Sequence, residues 1–549
     1  MRGEPIVRQP AAFRYLFALL FALCITPAAC AQNPPETFRV AMEDGTELVT
    51  DVHLPEGEGP WPVVLMRSTY GRALAPRDEF LSAGYALVVQ DVRGMGESPG
   101  EAHVFHAEGW RPGLMDGKDT VDWVAAQPWC NGLIGTYGGS ALAITQMLVA
   151  PTTEKIAAQY LEVGPASFYH DGVYPGGVFR KRMLEGWLTA IQQPHLIAVY
   201  KSHPYADEFW SYLNVLPKAE DVTAPGIFVG AWYDIFCQGT IDAFLAREER
   251  GGVGARGANY LIMKWGGHGP YQGTDYAYPK NTEDLKVSKI REAFFRAHLQ
   301  DDKRGLARIP KVHYYTLGDD TAPDAPGNEW RTADAWPPFD TVETPLYLTR
   351  AGLERTSPTE AESKSFTFDP KDPYPTHGGP NLLLPFGPYD QRKFSKDRKD
   401  LLIFETPALE TPLEITGQVR CKLYVSSDAP DTDFTAKLVD VYPDGREINL
   451  LDGIMRVKLR EGFAQPLPLL EGPGQVVAVD IDLWTTSIVI NAGHKIALHI
   501  SSSNYPRFEV NPNTGDDFPP EDATAMRAAE NSIHFGGEYP SALLLPARP

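Results

Sequence analysis

Leu133-Ile134-Gly135-Thr136-Tyr137-Gly138-Gly139-Ser140-Ala141-Leu142-Ala143 reads as a buried strand, a Gly-x-Ser turn and the start of an Ala/Leu-rich helix, Ala141–Ala150. Small residues let strand and helix approach closely, and the serine is forced into a strained, exposed position. That is the context of a nucleophile elbow. The G-x-S-x-G pattern is incomplete, because Leu142 occupies its last glycine place and the next small residue is Ala143. On this run alone, a glycine-rich turn that merely contains a serine explains the residues as well.

A serine hydroxyl is a weak nucleophile and needs an adjacent base held by an acid. In α/β-hydrolases the three follow in the order Ser, Asp/Glu, His, each just after a strand. Two later strands meet that requirement. Gly226–Val229 runs into Gly230-Ala231-Trp232-Tyr233-Asp234, and Asn259–Lys264 runs into Trp265-Gly266-Gly267-His268-Gly269. Both candidates sit at carboxyl ends of strands, where open parallel sheets place their sites. Thirteen histidines are present, but in this half His268 alone follows a strand within a Gly-rich loop. An oxyanion hole would take one donor from the backbone N–H of Ala141. The other must come from the loop after an early strand, Met66-Arg67-Ser68-Thr69-Tyr70-Gly71, where the Tyr70 hydroxyl could donate. A packed aromatic is the alternative for Tyr70.

Three regimes follow one another along the chain. From about Glu36 to Gly164, short apolar runs (Pro62–Arg67, Ala86–Asp91, Leu133–Tyr137) alternate with Gly-rich turns and a helix over Asp116–Gln127, which predicts a parallel α/β sheet. The pattern returns after residue 222, with a helix across Thr240–Glu249. Between the halves, Ala166–Glu220 carries Tyr169, Tyr174, Phe179, Trp187, Tyr200 and Trp210 at helical spacings and no convincing strand. An insertion this aromatic reads as a helical cap over a pocket; a peripheral helical subdomain with its own core is the alternative. From Trp336 onward, short alternating segments between Pro/Gly/Asp turns predict an antiparallel sandwich of jelly-roll type.

The 549 residues suggest roughly two to four domains. A net charge of −21 with no basic block disfavours nucleic acid as the main partner. The 11% aromatic content excludes a disordered chain. Residues 1–31 read as an export signal: Arg2, Arg8 and Arg14, the apolar run Tyr15–Ile25, then Ala29-Cys30-Ala31 at cleavage spacing. An uncleaved anchor and a lipid-bearing Cys30 rank below simple export, and no other stretch could span a bilayer. Cys130, Cys237 and Cys421 remain, enough for one disulfide at most. Gly94-Met95-Gly96 reads as a tight turn after a strand rather than a dinucleotide loop. His103 and His106, three apart without a third ligand, read as a solvated loop.

Trp129-Cys130-Asn131-Gly132 leading into the Ser140 elbow, with Gln90-Asp91-Val92-Arg93-Gly94 upstream, resembles the cocaine-esterase-like hydrolases. That family is grouped with the X-prolyl dipeptidyl-peptidases, α-amino-acid ester hydrolases and glutaryl-cephalosporin acylases. Gly230–Asp234 and Trp265–His268 match its acid and base loops, and Tyr70 its oxyanion tyrosine. The similarity continues through Phe368-Asp369-Pro370, Pro375–Gly379, Ser427–Phe434, Val441–Gly445 and Asn504–Phe508. It implies an α/β-hydrolase core in two parts (36–165 and 223–335), a helical cap (166–222) and a C-terminal jelly-roll sandwich (336–549). The chain departs from the family at Ala141, usually aromatic, and at Ala143, usually glycine.

The expectation is therefore an exported serine hydrolase of esters or amides. Ser140 would be nucleophile, His268 general base and acid, Asp234 the orienting acid, and Tyr70 with the Ala141 N–H the oxyanion donors. No metal or cofactor is required, and the partner is a small ester, amide or short peptide. Two alternatives stand beside it. One is a dipeptidyl-peptidase or aminopeptidase that holds a substrate ammonium through cap carboxylates such as Asp171, Glu185, Asp207 or Glu208. The other is a non-catalytic binding protein that uses the jelly roll.

Overall fold

The computed structural model describes residues 34–547 apart from Leu74, Gln272 and Pro323. The export-signal reading of residues 1–31, with Cys30, falls outside them. The amino-terminal part is built on strands β1 (Glu36–Ala41), β2 (Glu47–His53), β3 (Trp61–Ser68), β4 (Ala86–Asp91), β5 (Cys130–Gly139), β6 (Ile156–Glu162), β7 (Gly226–Tyr233), β8 (Tyr260–Gly267), β9 (Val312–Thr316) and β10 (Glu329–Ala333). They form one sheet in the order β1-β2-β4-β3-β5-β6-β7-β8-β9-β10. From β4 to β9 all neighbours are parallel, while β1, β2 and β10 join antiparallel at the edges.

Burial on both faces explains why the central strands are near-continuous apolar runs: every residue of β4 and of β7 is buried. Helices α1 (Arg77–Ser82), α2 (Asp116–Ala125) and α3 (Ala141–Val149) belong to the first half of the chain. The inserted segment carries α4 (Lys181–Ala190), α5 (Leu196–Lys201) and α6 (Glu208–Ser211), and the second half carries α7 (Cys237–Arg250) and α8 (Val287–Leu299). Alternate residues of β3 serve the two faces. Val63 and Leu65 pack with Val121 and Val124 of α2, and Val64 and Met66 join the cluster containing Phe294 and Phe295 of α8.

The insertion between β6 and β7 is helical, but its aromatic rings do not form the wall of a pocket. Tyr169, Tyr174, Tyr200 and Trp210 pack on one another, with ring centroids 5.1 Å apart for Tyr169–Tyr174 and 5.4 Å for Tyr200–Trp210. Phe105 of the amino-terminal part reaches into the same cluster, 5.3 Å from Phe168. The aromatic richness thus supplies the insertion's own core, because such rings bury large areas per residue. His106 also corrects the sequence reading. It is buried rather than solvated, 4.2 Å from the Phe209 ring, and burial pushes its imidazole down to about 3. The Gly94–Gly96 segment is a turn, with both glycines at positive φ.

Beyond β10 the chain forms a sandwich. One sheet is ordered Leu353–Glu354, Val342–Leu348, Ala542–Ala547, Leu413–Ser427, Ala529–Phe535, Glu362–Phe368, with Val477–Ile490 paired to Leu413–Ser427. The other is ordered Leu402–Glu405, Lys495–Ser501, Asp433–Val441, Glu447–Arg456. The two parts share one hydrophobic cluster that runs from Trp232 and Tyr315 through Leu317 to Ile488. Backbone bonds cross the seam as well: Leu317 N–H donates to the Ser487 carbonyl and Val489 N–H to the Leu317 carbonyl, both at 2.9 Å. Cys130, Cys237 and Cys421 are all unpaired thiols.

A charged clamp lies on the same seam. His494 Nδ1 is 2.8 Å from Asp440 Oδ1, and its Nε2 is 3.2 Å from Asp319 Oδ2, which follows β9. Burial works against the imidazolium, but the two carboxylates outweigh it and raise the His494 pKa above 6.5. A group raised in this way contributes stability that is complete below its unfolded value and disappears as pH climbs through the folded one. The melting-temperature gap between wild type and His494→Gln is expected to shrink as pH rises past the ordinary imidazole range. Thermal melts followed by circular dichroism check this, and a gap that widens with pH overturns it.

Candidate active site

Ser140 sits at the junction of β5 and α3 with φ 57° and ψ −123°, a left-handed conformation that a non-glycine residue adopts only under strain. Its N–H is anchored to the carbonyl of Glu162 at the end of β6, at 2.8 Å. The incomplete motif is compensated by glycines elsewhere. A Cβ on Gly138 would lie 2.4 Å from the Leu142 Cβ, so the leucine in the motif's last place requires glycine at 138. A Cβ on Gly164 would lie 3.1 Å from the Ala143 Cβ and 2.9 Å from the Met147 sulfur, so glycine at 164 makes room for helix α3.

The three residues read from strand ends converge. His268 Nε2 lies 2.8 Å from Ser140 Oγ, and His268 Nδ1 lies 2.6 Å from Asp234 Oδ2. Asp234 is fully buried at the end of β7, and its other oxygen accepts the Phe236 N–H at 2.7 Å. An acceptor-only carboxylate at Nδ1 makes that nitrogen the donor, which leaves Nε2 to accept the serine proton. The Phe236 ring meets the imidazole edge-on at 5.7 Å and covers it.

Tyr70 and Ala141 complete the group. Ala141 is the first residue of α3, so its N–H has no partner within the helix, and it lies at the positive end of the helix dipole. The Tyr70 loop is pinned by Ser68, whose hydroxyl accepts the Tyr70 N–H and donates to the Gly71 carbonyl, both at 3.0 Å. Burial pushes the Tyr70 hydroxyl above its ordinary value and keeps it a neutral donor, and Ser140 is among its hydrogen-bond partners. Trp187 of α4 donates its indole N–H to the Tyr70 oxygen at 3.1 Å. Sequence reasoning had placed Trp187 only among the insertion's aromatics; nothing in one sequence ties it to Tyr70.

These residues open onto a cavity of about 1700 Å³. All three parts of the chain line it: Tyr70, Ser140 and His268 from the core, residues 190–193 from the insertion, and Leu382 and Phe386 from the connection between the sandwich strands Glu362–Phe368 and Leu402–Glu405. The Gly94–Gly96 turn forms part of the wall. So does an ion pair that sequence reasoning missed, Lys264 Nζ to Glu162 Oε1 at 2.6 Å, placed by the ends of β8 and β6.

The insertion's carboxylates are engaged elsewhere, and none lines the cavity. Asp171 accepts the Ser167 N–H at 2.8 Å, Glu185 pairs with Lys181 at 2.9 Å, and Asp207 accepts the Phe209 N–H at 3.0 Å. Glu208 lies 3.4 Å from the Tyr212 hydroxyl. Among the described residues, no group of three or more His, Cys, Asp or Glu side chains is placed to hold a metal ion. Nor is any described helix long and apolar enough to cross a membrane.

The family profile described as X-Pro dipeptidyl-peptidase (S15 family) matches residues 44–196 and 189–270. That of the X-Pro dipeptidyl-peptidase C-terminal non-catalytic domain matches residues 304–544. Cocaine esterase of Rhodococcus sp. (strain MB1 Bresler) is 33% identical over 580 residues, covering 92% of this chain and 97% of that protein. An aminopeptidase from a Thaumarchaeota archaeon has the same fold, with a TM-score of 0.78 at 22% identity, covering 95% of this chain and 98% of that one. An α-amino acid ester hydrolase superposes with a TM-score of 0.78 at 24% identity over 100% of both chains. With an α/β sheet, an inserted helical segment and a C-terminal sandwich around one cavity, and with this similarity running nearly end to end, the chain belongs to the cocaine-esterase-like (CocE/NonD) family of serine hydrolases.

Proposed function

We propose that the protein cleaves ester or amide bonds through Ser140, His268 and Asp234, by way of an acyl-enzyme. The observation that carries this reading is the unbroken hydrogen-bonded line from Ser140 Oγ through His268 to Asp234. Ser140 Oγ bonds to the substrate carbonyl carbon while its proton passes to His268 Nε2. The tetrahedral oxyanion is held by the Ala141 N–H and the Tyr70 hydroxyl. Collapse breaks the bond to the leaving oxygen or nitrogen, which takes the proton from His268. Water, deprotonated by the same nitrogen, then releases the acid and restores Ser140. The amino-terminal pattern of residues 1–31 supports export of the mature enzyme.

A fluorophosphonate probe is expected to label the protein at Ser140, located by mass spectrometry of the tryptic peptide. Absence of label on the folded protein overturns the reading in favour of a binding protein. Tyr70→Phe is expected to lower kcat for a chromogenic ester by about 10²–10³-fold with little change in KM. Trp187→Phe should give a smaller loss of the same kind, since the indole only orients the hydroxyl. A rise in KM at constant kcat for both variants would remove Tyr70 from the oxyanion site.

Peptidase activity is the second reading, supported by the S15 family profile and the aminopeptidase fold neighbour. The cavity favours it less. The carboxylates it would need in the insertion do not reach the wall, and Glu162 is already paired with Lys264.

A further inference from the structure

The cavity wall carries a charge balance opposite to that of the chain. The protein has a net charge of −21, yet the wall holds Lys264, Lys280, Lys286 and Arg291 against only Glu162 and Glu283. Among these cations, Lys264 is carried by the strand that leads into His268. It lies four residues before His268 on β8, and its partner Glu162 lies on β6, where the Glu162 carbonyl anchors the Ser140 N–H. Both side chains stay about one-third open to the cavity, Lys264 at 32% and Glu162 at 30%.

The pair is unequal in what it leaves over. Glu162 spends one oxygen on Lys264 and the other on the Tyr160 hydroxyl, which donates at 3.3 Å. The Tyr160 ring is itself held, stacked on Tyr137 at 5.2 Å, and the Tyr137 hydroxyl accepts from Arg291 at 3.1 Å. Lys264 has three N–H donors, and among the described residues its hydrogen bond goes to Glu162 alone. Lys264 therefore keeps N–H donors to spare on the wall, while each oxygen of Glu162 already accepts one hydrogen bond. Burial opposes both charges, but the pairing outweighs it: Lys264 is raised and Glu162 lowered, so both stay ionised at neutral pH.

We propose that Lys264 recognises a carboxylate carried by the substrate beyond its scissile bond, so that the cavity selects anionic esters or amides. This rests on the assignment of Ser140 as nucleophile. An incoming carboxylate shares the ammonium with Glu162, and the outlying Lys280 and Lys286 favour its approach electrostatically.

The test compares p-nitrophenyl hexanoate with the mono-p-nitrophenyl ester of hexanedioic acid, which differ only in the terminal carboxylate. Wild type is expected to prefer the acidic ester by about tenfold or more in kcat/KM. Glu162→Gln, which frees the ammonium, is expected to increase the ratio, and Lys264→Met to bring it to about one or below. The double variant Glu162→Gln/Lys264→Met leaves no charge without a partner, so it guards against misfolding of the single one, and its ratio should also fall to about one or below. A wild-type preference for the neutral ester, or a preference that survives in the double variant, overturns the assignment of Lys264 alone. Hydrolysis of neither ester, with Ser140 unlabelled by the fluorophosphonate, overturns the hydrolase reading beneath it.

Discussion

Ser140→Ala is expected to lower kcat on any accepted ester by about 10⁴-fold or more and to abolish fluorophosphonate labelling. Alanine keeps the backbone at 140 and the β5–α3 junction, so the fold and the cavity are retained. What disappears is the hydroxyl 2.8 Å from His268 Nε2, and with it the acyl-enzyme route. The oxyanion donors remain and can still polarise a carbonyl for attack by water, which accounts for any residual rate. Steady-state hydrolysis, normalised to folded protein by circular dichroism, measures the effect. A loss under about 100-fold would place the nucleophile elsewhere.

Asp234→Asn is expected to cost nearly as much, about 10⁴-fold in kcat, with binding largely preserved. Asparagine can keep the bond from the Phe236 N–H through its oxygen, which turns its amide toward His268. An amide N–H at that point is a donor, so His268 Nδ1 must become the acceptor and Nε2 must carry the proton. The ring then donates to Ser140 instead of accepting from it. Geometry survives while the tautomer is wrong, so kcat should fall far more than KM rises. Equal kcat values for Asp234→Asn and wild type would remove Asp234 from the catalytic group.

The parts of this architecture that were legible in the sequence were those with strong local constraint. Buried parallel strands are dense in Val, Ile and Leu, which is why Ala86–Asp91 and the strands before Asp234 and His268 could be read directly. The serine turn was readable because close approach of strand and helix demands small residues. Strand β6, with the sequence Ile-Ala-Ala-Gln-Tyr-Leu-Glu, was not read. Its polar Gln159 is buried by a network with Thr136, Gln146 and Arg247 that no local pattern reveals. Glu162 was missed with it. Lys264 was visible at a strand end, but its meaning depends on a partner 102 residues away. Which residues of the insertion meet the cavity was not legible for a related reason: composition records that rings are buried, not whether they bury one another or a ligand.

The seam between Leu317 and Val477–Ile490 has a further consequence. Trp232, two residues before Asp234, donates its indole N–H to the Tyr315 carbonyl at 2.6 Å and lies 5.8 Å from Trp336. Tyr233, the very next residue, donates to the Asn449 carbonyl of the sandwich at 3.2 Å. The carboxylate that aligns the imidazole is thus braced from the far side of a boundary that contributes none of the three aligned residues. Excising the sandwich would bare these rings to water and loosen Asp234, so in the proposed mechanism the accessory half is the buttress of the chemistry in the other.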